Sequence, residues 1–258
     1  MIEIFIVSVV AFGAAILTFF SGFGLGTILT PVMMIFFPTE IAIAFTGLVH
    51  FSNNIFKFFL VGKNIDKKVL IRFGLPSVIA ALIGSYLLVL IDDNIVIFSY
   101  YFFDKKIDVI LVKFLISILL IIFAIIDLIP QIKDLHFDKK YLPVGGFLSG
   151  FFGGLSGNQG ALRSAFLVKH GLEKSVFIAT TVAISSLVDI ARLSVYSTNF
   201  LNLNYSDFYQ LGLFSVVSAV AGSFIGNKLL KKVTIQQIKK IVALLLILLG
   251  ISLLIGIL

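Results

Sequence analysis

Cysteine is absent from this chain. Disulfides, thiol nucleophiles and cysteine-ligated metals are therefore excluded. Histidine occurs three times, at His50, His136 and His170, too scattered for a metal-enzyme motif. No paired catalytic carboxylates are evident, which ranks an intramembrane enzyme last among the functions considered. Charge is scarce, at 13% of residues, against 59% hydrophobic residues and a mean hydropathy of +1.13. No soluble domain of 258 residues needs that much apolar surface, so the composition reads as a polytopic membrane protein. The formal charge of +7 then belongs to cytoplasmic loops under the positive-inside rule, and nucleic acid is not an expected partner. The opening MIEIFIVSVV has no basic stretch and no cleavage site, and reads as a retained helix.

What is present is a series of about eight hydrophobic segments. Residues 2–20 are long enough to span the bilayer, SGFGLG at 21–26 breaks the run, and 27–37 covers about half the thickness. Thr39 reads as the N-cap of a helix over 41–61 that carries His50, Asn53, Asn54 and Lys57. Spans over 69–91 and 109–129 flank an aromatic, acidic loop at 92–108. Lys113, one turn into its span, reads as a snorkelling surface lysine. After a basic linker the pattern restarts with 142–152, a break GGLSGNQG at 153–160, and 161–168. Spans over 175–196, 207–230 and 238–258 follow.

The two halves align. Gly26 falls on Gly160 at an offset of 134; Thr46, Asn54 and Lys57 fall on Thr181, Asp189 and Arg192 at 135. Gly74, Ser77, Ala81 and Gly84-Ser85 fall on Gly212, Ser215, Ala219 and Gly222-Ser223 at 138. Near-constant offsets in three blocks point to duplication. Loop charge swaps sign between the halves. Lys63, Lys67, Lys68 and Arg72 have no basic counterpart at 197–206, and Lys169 and Lys174 have none at 37–40. The acidic loop at 92–108 faces Lys228, Lys231, Lys232, Lys239 and Lys240. The positive-inside rule then implies inverted repeats. The expected fold is all-α: two inverted repeats, each a glycine-broken hairpin plus three transmembrane helices. Repeat one covers 1–130, a cytoplasmic linker 131–141 and repeat two 142–258, in one membrane domain with both termini outside. The small-residue faces at Gly84-Ser85 and Gly222-Ser223 can pack within one chain or between protomers of a homo-oligomer.

Two polar stripes stand out. His50, Asn53, Asn54 and Lys57 share one helix face, and Ser185, Asp189 and Arg192 form its counterpart. Charges in hydrocarbon are costly, so both stripes are expected to face the interior and to line a route, with His50 and Asp189 as candidate proton carriers. The competing reading makes Asp189 and Arg192 a structural pair and Lys57 a snorkelling residue. At the second break, a half-helix beginning near Gly160 would aim its free N–H groups at an anion, with Arg163 in its first turn. Gly22, Gly24, Gly26 and Thr27 at the first break, and Ser156, Asn158, Gln159, Gly160 and Arg163 at the second, are the candidate substrate-binding residues.

Taken together, SGFGLGTILTP, TGLVHFSNNIFK, GLPSVIAALIGSYLL and SGNQGALRSAFL resemble the TauE/SafE sulfite-exporter family over nearly the whole chain. Gly22, Gly24 and Gly26 match its first glycine motif and Pro31 the closing proline. In the second motif Ser156, Asn158 and Gln159 stand where glycines are commoner, and Ala165 where the proline would be. The resemblance implies a multi-pass protein of a bacterial or archaeal cell membrane, with no cofactor. It would move sulfite, an organosulfonate or a related sulfur or carboxylate anion as a secondary transporter by alternating access, with proton coupling as one option. A passive anion channel and a non-transporting scaffold or sensor subunit are the alternatives.

Overall fold

A computed structural model of the chain describes residues 1–19, 25–61, 64–129, 138–167, 172–200, 205–229 and 235–257. The first half folds as α1 (Ile2–Thr18), a short α2 (Leu25–Met33), α3 (Thr39–Val61), α4 (Lys67–Leu90), a hairpin of β1 (Val96–Phe102) and β2 (Lys105–Ile110), and α5 (Leu111–Leu128). The second half folds as α6 (Leu142–Ser156), a short α7 (Gly160–Leu167), α8 (Lys174–Phe200), α9 (Tyr205–Leu229) and α10 (Ile235–Leu254). Among the described residues, three helical stretches are long and apolar enough to cross a membrane: Lys67–Leu90, Ser175–Ser197 and Tyr209–Lys228. Ile2–Thr18, Leu111–Ile126 and Lys240–Leu254 are shorter apolar helices. α4 is one rod with a π turn at Leu70–Gly74. Pro76 follows that turn and has no N–H to return to the Arg72 carbonyl, so the ladder widens there instead of breaking.

Each long helix of one half packs most extensively on a helix of the other, whereas the short α2 and α7 pack mainly within their own half. α1 lies along α9, α4 along α6, α3 crosses α8, and α5 lies against α10. Small residues decide how close these pairs come. Gly146 sits on the backbone of Phe73, Gly150 on Ser77 and Gly154 on Ala81, so α4 and α6 run parallel. Gly222 sits on Phe12 and Gly226 on Ile16, so α1 and α9 also run parallel. The faces at Gly84 and Gly222 are thus occupied within the chain, by Phe151 and by Phe12. α3 and α8 run antiparallel, with Gly47 at Arg192 and His50 at Asp189. α5 and α10 also oppose each other, with Gly250 at Ile121 and Gly256, past the helix end, at Val109.

Several expectations are corrected. Residues 92–108 are not a plain loop. β1 and β2 pair antiparallel from Phe98↔Val109 to Phe102↔Lys105, across a turn in which Phe103 and Asp104 have φ of 45° and 60°. Ile107 and Val109 are buried, and Tyr100 Oη donates to the Ile255 carbonyl, which docks the hairpin on the end of α10. The second break is shorter than 153–160: Gly153 and Gly154 are helical, and the chain departs from helix only at Gly157–Gln159. Thr39 does not cap its own helix. Its N–H donates to Asp93 Oδ2 at 2.8 Å while its hydroxyl has no partner. Lys113 is half-buried, and its Nζ reaches the Met34 carbonyl at 3.4 Å. The first break at 21–24 lies outside the described residues, as do 130–137 of the linker.

Two predictions follow from this packing. A Cβ on Gly150 would stand 2.0 Å from the Ser77 carbonyl oxygen, whereas nothing lies within 4 Å of one on Gly13. Gly150→Ala is expected to cost at least ~1–3 kcal/mol and lower the unfolding midpoint in detergent, and Gly13→Ala to leave it unchanged or raised. Burial raises the pKa of Asp93 above the ordinary carboxylate value, against the opposing pull of the Thr39 N–H and Lys113. Its proton is therefore held more tightly in the folded chain. The stability this supplies is complete below the ordinary carboxylate pKa and is lost as pH rises through the raised one. Asp93→Asn keeps an acceptor for Thr39 and should remove that pH dependence. Asp93→Ala should remove it as well and lie about 1 kcal/mol below Asp93→Asn at every pH, the weight of the lost acceptor. Unfolding midpoints measured in stepped buffers test both.

Candidate functional site

The polar stripe of α3 and that of α8 meet where the two helices cross. Asp189 is fully buried there. An unpaired carboxylate in such a place costs several kcal/mol or more, so its partners are the first question. Arg192, one turn on, places Nε at 3.0 Å and Nη2 at 2.7 Å from Oδ1. His50 Nδ1 lies 2.6 Å from Oδ2, and Asn54 Nδ2 donates to the same oxygen at 3.2 Å. Gln159, from the break between α6 and α7, donates Nε2 to Oδ1 at 3.3 Å. Because the carboxylate accepts, His50 carries its proton on Nδ1, which leaves Nε2 as its second functional nitrogen.

Gln159 has no choice of amide orientation. Its nitrogen serves Asp189, and its oxygen accepts from Arg163 Nη1 at 3.0 Å. Its position comes from the break. α6 ends at Gly157, whose φ of +76° suits glycine and whose N–H returns to the Gly153 carbonyl. Ser149 Oγ donates to the Gln159 carbonyl at 2.9 Å, and Tyr196 Oη donates to the Gly154 carbonyl. α2 meets the break from the other half: Gly26 abuts the Gly157 carbonyl, and Thr27 Oγ1 donates to Asn158 Oδ1 at 3.1 Å.

Beside this cluster lies a cavity with about 30 Å³ of space for the centres of water-sized spheres. That is room for roughly two waters or a small ion. His50, Asn54, Lys57, Arg163, Thr181 and Ser185 form its polar lining, and Thr18, Phe19, Phe177, Ile178 and Val182 the remainder. Lys57 is only 5% exposed, its Nζ stands 5.2 Å from the Phe19 ring centre, and no described carboxylate lies within ion-pair distance of it. Among the described residues, the lining holds an ammonium, a guanidinium and an imidazole, and no carboxylate. Such a lining can hold an anion by direct hydrogen bonds from cations.

The expected residues divide accordingly. His50, Asn54, Lys57, Ser185 and Arg163 line the cavity, and Asp189, Arg192 and Gln159 form the cluster that positions them. Gly26, Thr27, Asn158 and Gly160 are buried in the junction of α2 with the α6–α7 break. Ser156 is taken up locally: its Oγ donates to the Phe152 carbonyl and accepts from Asn158 N. Asn53 faces the other way and accepts from Ser223 Oγ at 2.7 Å. Lys57 is not a snorkelling residue, because it points into the cavity. Gly22 and Gly24 lie outside the described residues. Sequence reasoning missed Thr18, Ser149 and Tyr196. Each is a small or amphipathic residue in an apolar run, and nothing local distinguishes it from helix packing.

A family model described as sulfite exporter TauE/SafE matches residues 7–253 of the 258. No curated protein and no solved structure matches the chain. The family is one of membrane transporters rather than enzymes, and the apolar helices fit a multi-pass membrane protein. A match that covers both halves and every residue of the cavity lining settles the affiliation: this chain belongs to the sulfite exporter TauE/SafE family.

Proposed function

We propose that the chain is a secondary transporter that moves a small anion across the cell membrane by alternating access. Sulfite, an organosulfonate or a related sulfur or carboxylate anion is its substrate. The observation that carries this reading is the cavity lined by Lys57, Arg163 and His50 with no carboxylate. Cations removed from water are stabilised by an anion that enters beside them. Thr181, Ser185 and Asn54 add polar groups that orient it.

The architecture on which this rests is a pair of inverted repeats, residues 1–130 and 142–258, joined by the segment at 131–141. Three things support it. The packing pattern is unchanged when the halves are exchanged: α1 with α9 becomes α6 with α4, while α3–α8 and α5–α10 map onto themselves. Those self-mapping pairs run antiparallel, as an inverted duplication requires. The loop charges change sign between the halves, which also supports both termini lying outside.

His50 is the proton carrier of the reading. Asp189 has both oxygens occupied by Arg192, Gln159, His50 and Asn54 and acts as a fixed anion. His50 bridges that anion and the cavity, so a proton on its Nε2 is gained or lost beside the substrate.

Labelled sulfite uptake into proteoliposomes, with and without an imposed pH gradient, tests the proposal. Accumulation that requires the gradient is expected, and flux indifferent to it would make the protein a channel or uniporter. Arg163→Gln and Lys57→Gln should each weaken sulfite binding by about 10-fold to 100-fold, the weight of a hydrogen bond to a charged group. Asp189→Asn should cost ~3–5 kcal/mol of stability, because it leaves Arg192 buried without its carboxylate. Unchanged flux in both Arg163→Gln and Lys57→Gln would reject the site.

A further inference from the structure

We propose a second anion seat beside Gly157, formed by Arg192 Nη1, the hydroxyls of Thr30 and Thr46, and Asn158 Nδ2. It would take the same class of small oxyanion, and it rests on the anion-transport reading above. All four atoms are buried and without a hydrogen-bond partner, in residues no more than 1% exposed. They come from four segments, and two of them meet at one residue. A Cβ on Gly157 would stand 3.0 Å from Thr30 Oγ1 and 3.2 Å from Arg192 Nη1. Asn158 is the next residue, and its Oδ1 is already taken by Thr27, which leaves only its N–H groups to offer. The carbonyl of Gly157 abuts Gly26, whose other close neighbour is the Thr46 methyl. Gly47 gives the guanidinium its room, since a Cβ there would lie 3.2 Å from Arg192 Cζ.

The chemistry of the group is that of an anion site. Arg192 turns Nε and Nη2 toward Asp189 and leaves Nη1 to the Gly157 corner. Nη1 and Nδ2 can only donate, and both hydroxyls can donate. Buried donors left unmade are destabilising, and four in one place mark a position that something else satisfies. The sequence offsets give an independent reason. At 135, Thr46 and Arg192 are the counterparts of Thr181 and Lys57, both of which line the open cavity. Two members of the second group thus repeat part of the cavity lining from the opposite repeat. In an alternating mechanism the two seats open in turn to opposite sides of the membrane.

The test is sulfite transport in proteoliposomes of uniform orientation, with KM measured separately from each side. Thr30→Val and Thr46→Val remove one hydroxyl each at constant shape. Each should raise KM about 10-fold from one side and leave the other side unchanged. Thr181→Val should do the same from the opposite side, and Thr30→Ser should restore the wild-type value. Replacing an unpartnered hydroxyl by a methyl should leave the unfolding midpoint unchanged or raised, which separates the effect from misfolding. If KM is unaffected in both Val variants, or rises equally from both sides, the second seat is wrong. A one-sided effect of Thr181→Val would then still support the first site. No sulfite flux in the unaltered protein would overturn the transport reading for this anion and the seat with it.

Discussion

The polar residues where α3 crosses α8 are arranged around one carboxylate that has no access to water. Asp189 is fully buried, and the five nitrogen contacts it accepts come from α3, α8 and the break between α6 and α7. A carboxylate buried so deeply is tolerated only when its oxygens are saturated. The partners therefore have little freedom. Gln159 is turned so that its oxygen receives Arg163, His50 is held with Nδ1 inward, and Arg192 is drawn across the face of Gly47. The cavity residues are placed at second hand, through the residues that touch Asp189. This is also why the break has to be short. With only Gly157–Gln159 out of helix, Gln159 reaches Asp189 while α7 still begins directly beyond it.

The duplicated reading makes the asymmetry of the charges informative. Where the second half has Asp189, the first has Asn54, and where the second has Arg192, the first has Lys57. A second carboxylate at position 54 would set two anions against the cations of the two stripes. Asparagine keeps the hydrogen-bonding shape and leaves the balance positive. The scaffold is nearly symmetric in its glycine contacts, Gly84 on Phe151 matching Gly222 on Phe12, while the centre is biased toward holding a negative guest.

The sequence carried the scaffold well and the site in part. Helical spacing placed His50, Asn54, Lys57, Ser185, Asp189 and Arg192 on facing stripes, because intramembrane polar residues have few places to go. Asn53 follows the same spacing and yet bonds Ser223, because a face one helical step wide can meet two neighbours, α8 and α9. Gly153 and Gly154 were legible as special but not as helical. Their lack of a side chain serves close approach, to Gln159 and to the Ala81 backbone, rather than a break. The hairpin was hidden for another reason. VIFSYYF has the β-branched and aromatic content of a strand, but its turn uses Phe103 and Asp104 at positive φ, where the usual glycine or asparagine signal is missing. The cap of α3 could not be read locally at all, since its acceptor is Asp93, 54 residues away.

That distant cap belongs to a set of fastenings with no equivalent among the described residues of the second half. Asp93 holds the first N–H of α3, Lys113 on α5 holds the Met34 carbonyl just past α2, and Tyr100 ties the hairpin to the end of α10. Together they join the α2–α3 connection to α5, α10 and the hairpin. A shift of α2 or of the start of α3 at this end must therefore carry those elements with it or break these hydrogen bonds. α7 is positioned through Gln159 and Arg163 and through Phe166, whose ring packs on Gly145. If access alternates about Asp189, the geometry assigns the α2 side to a larger, jointly moving body. The α6–α7 break is then the part that can answer an anion directly, because the residue that orients it, Arg163, is also one that the anion would touch.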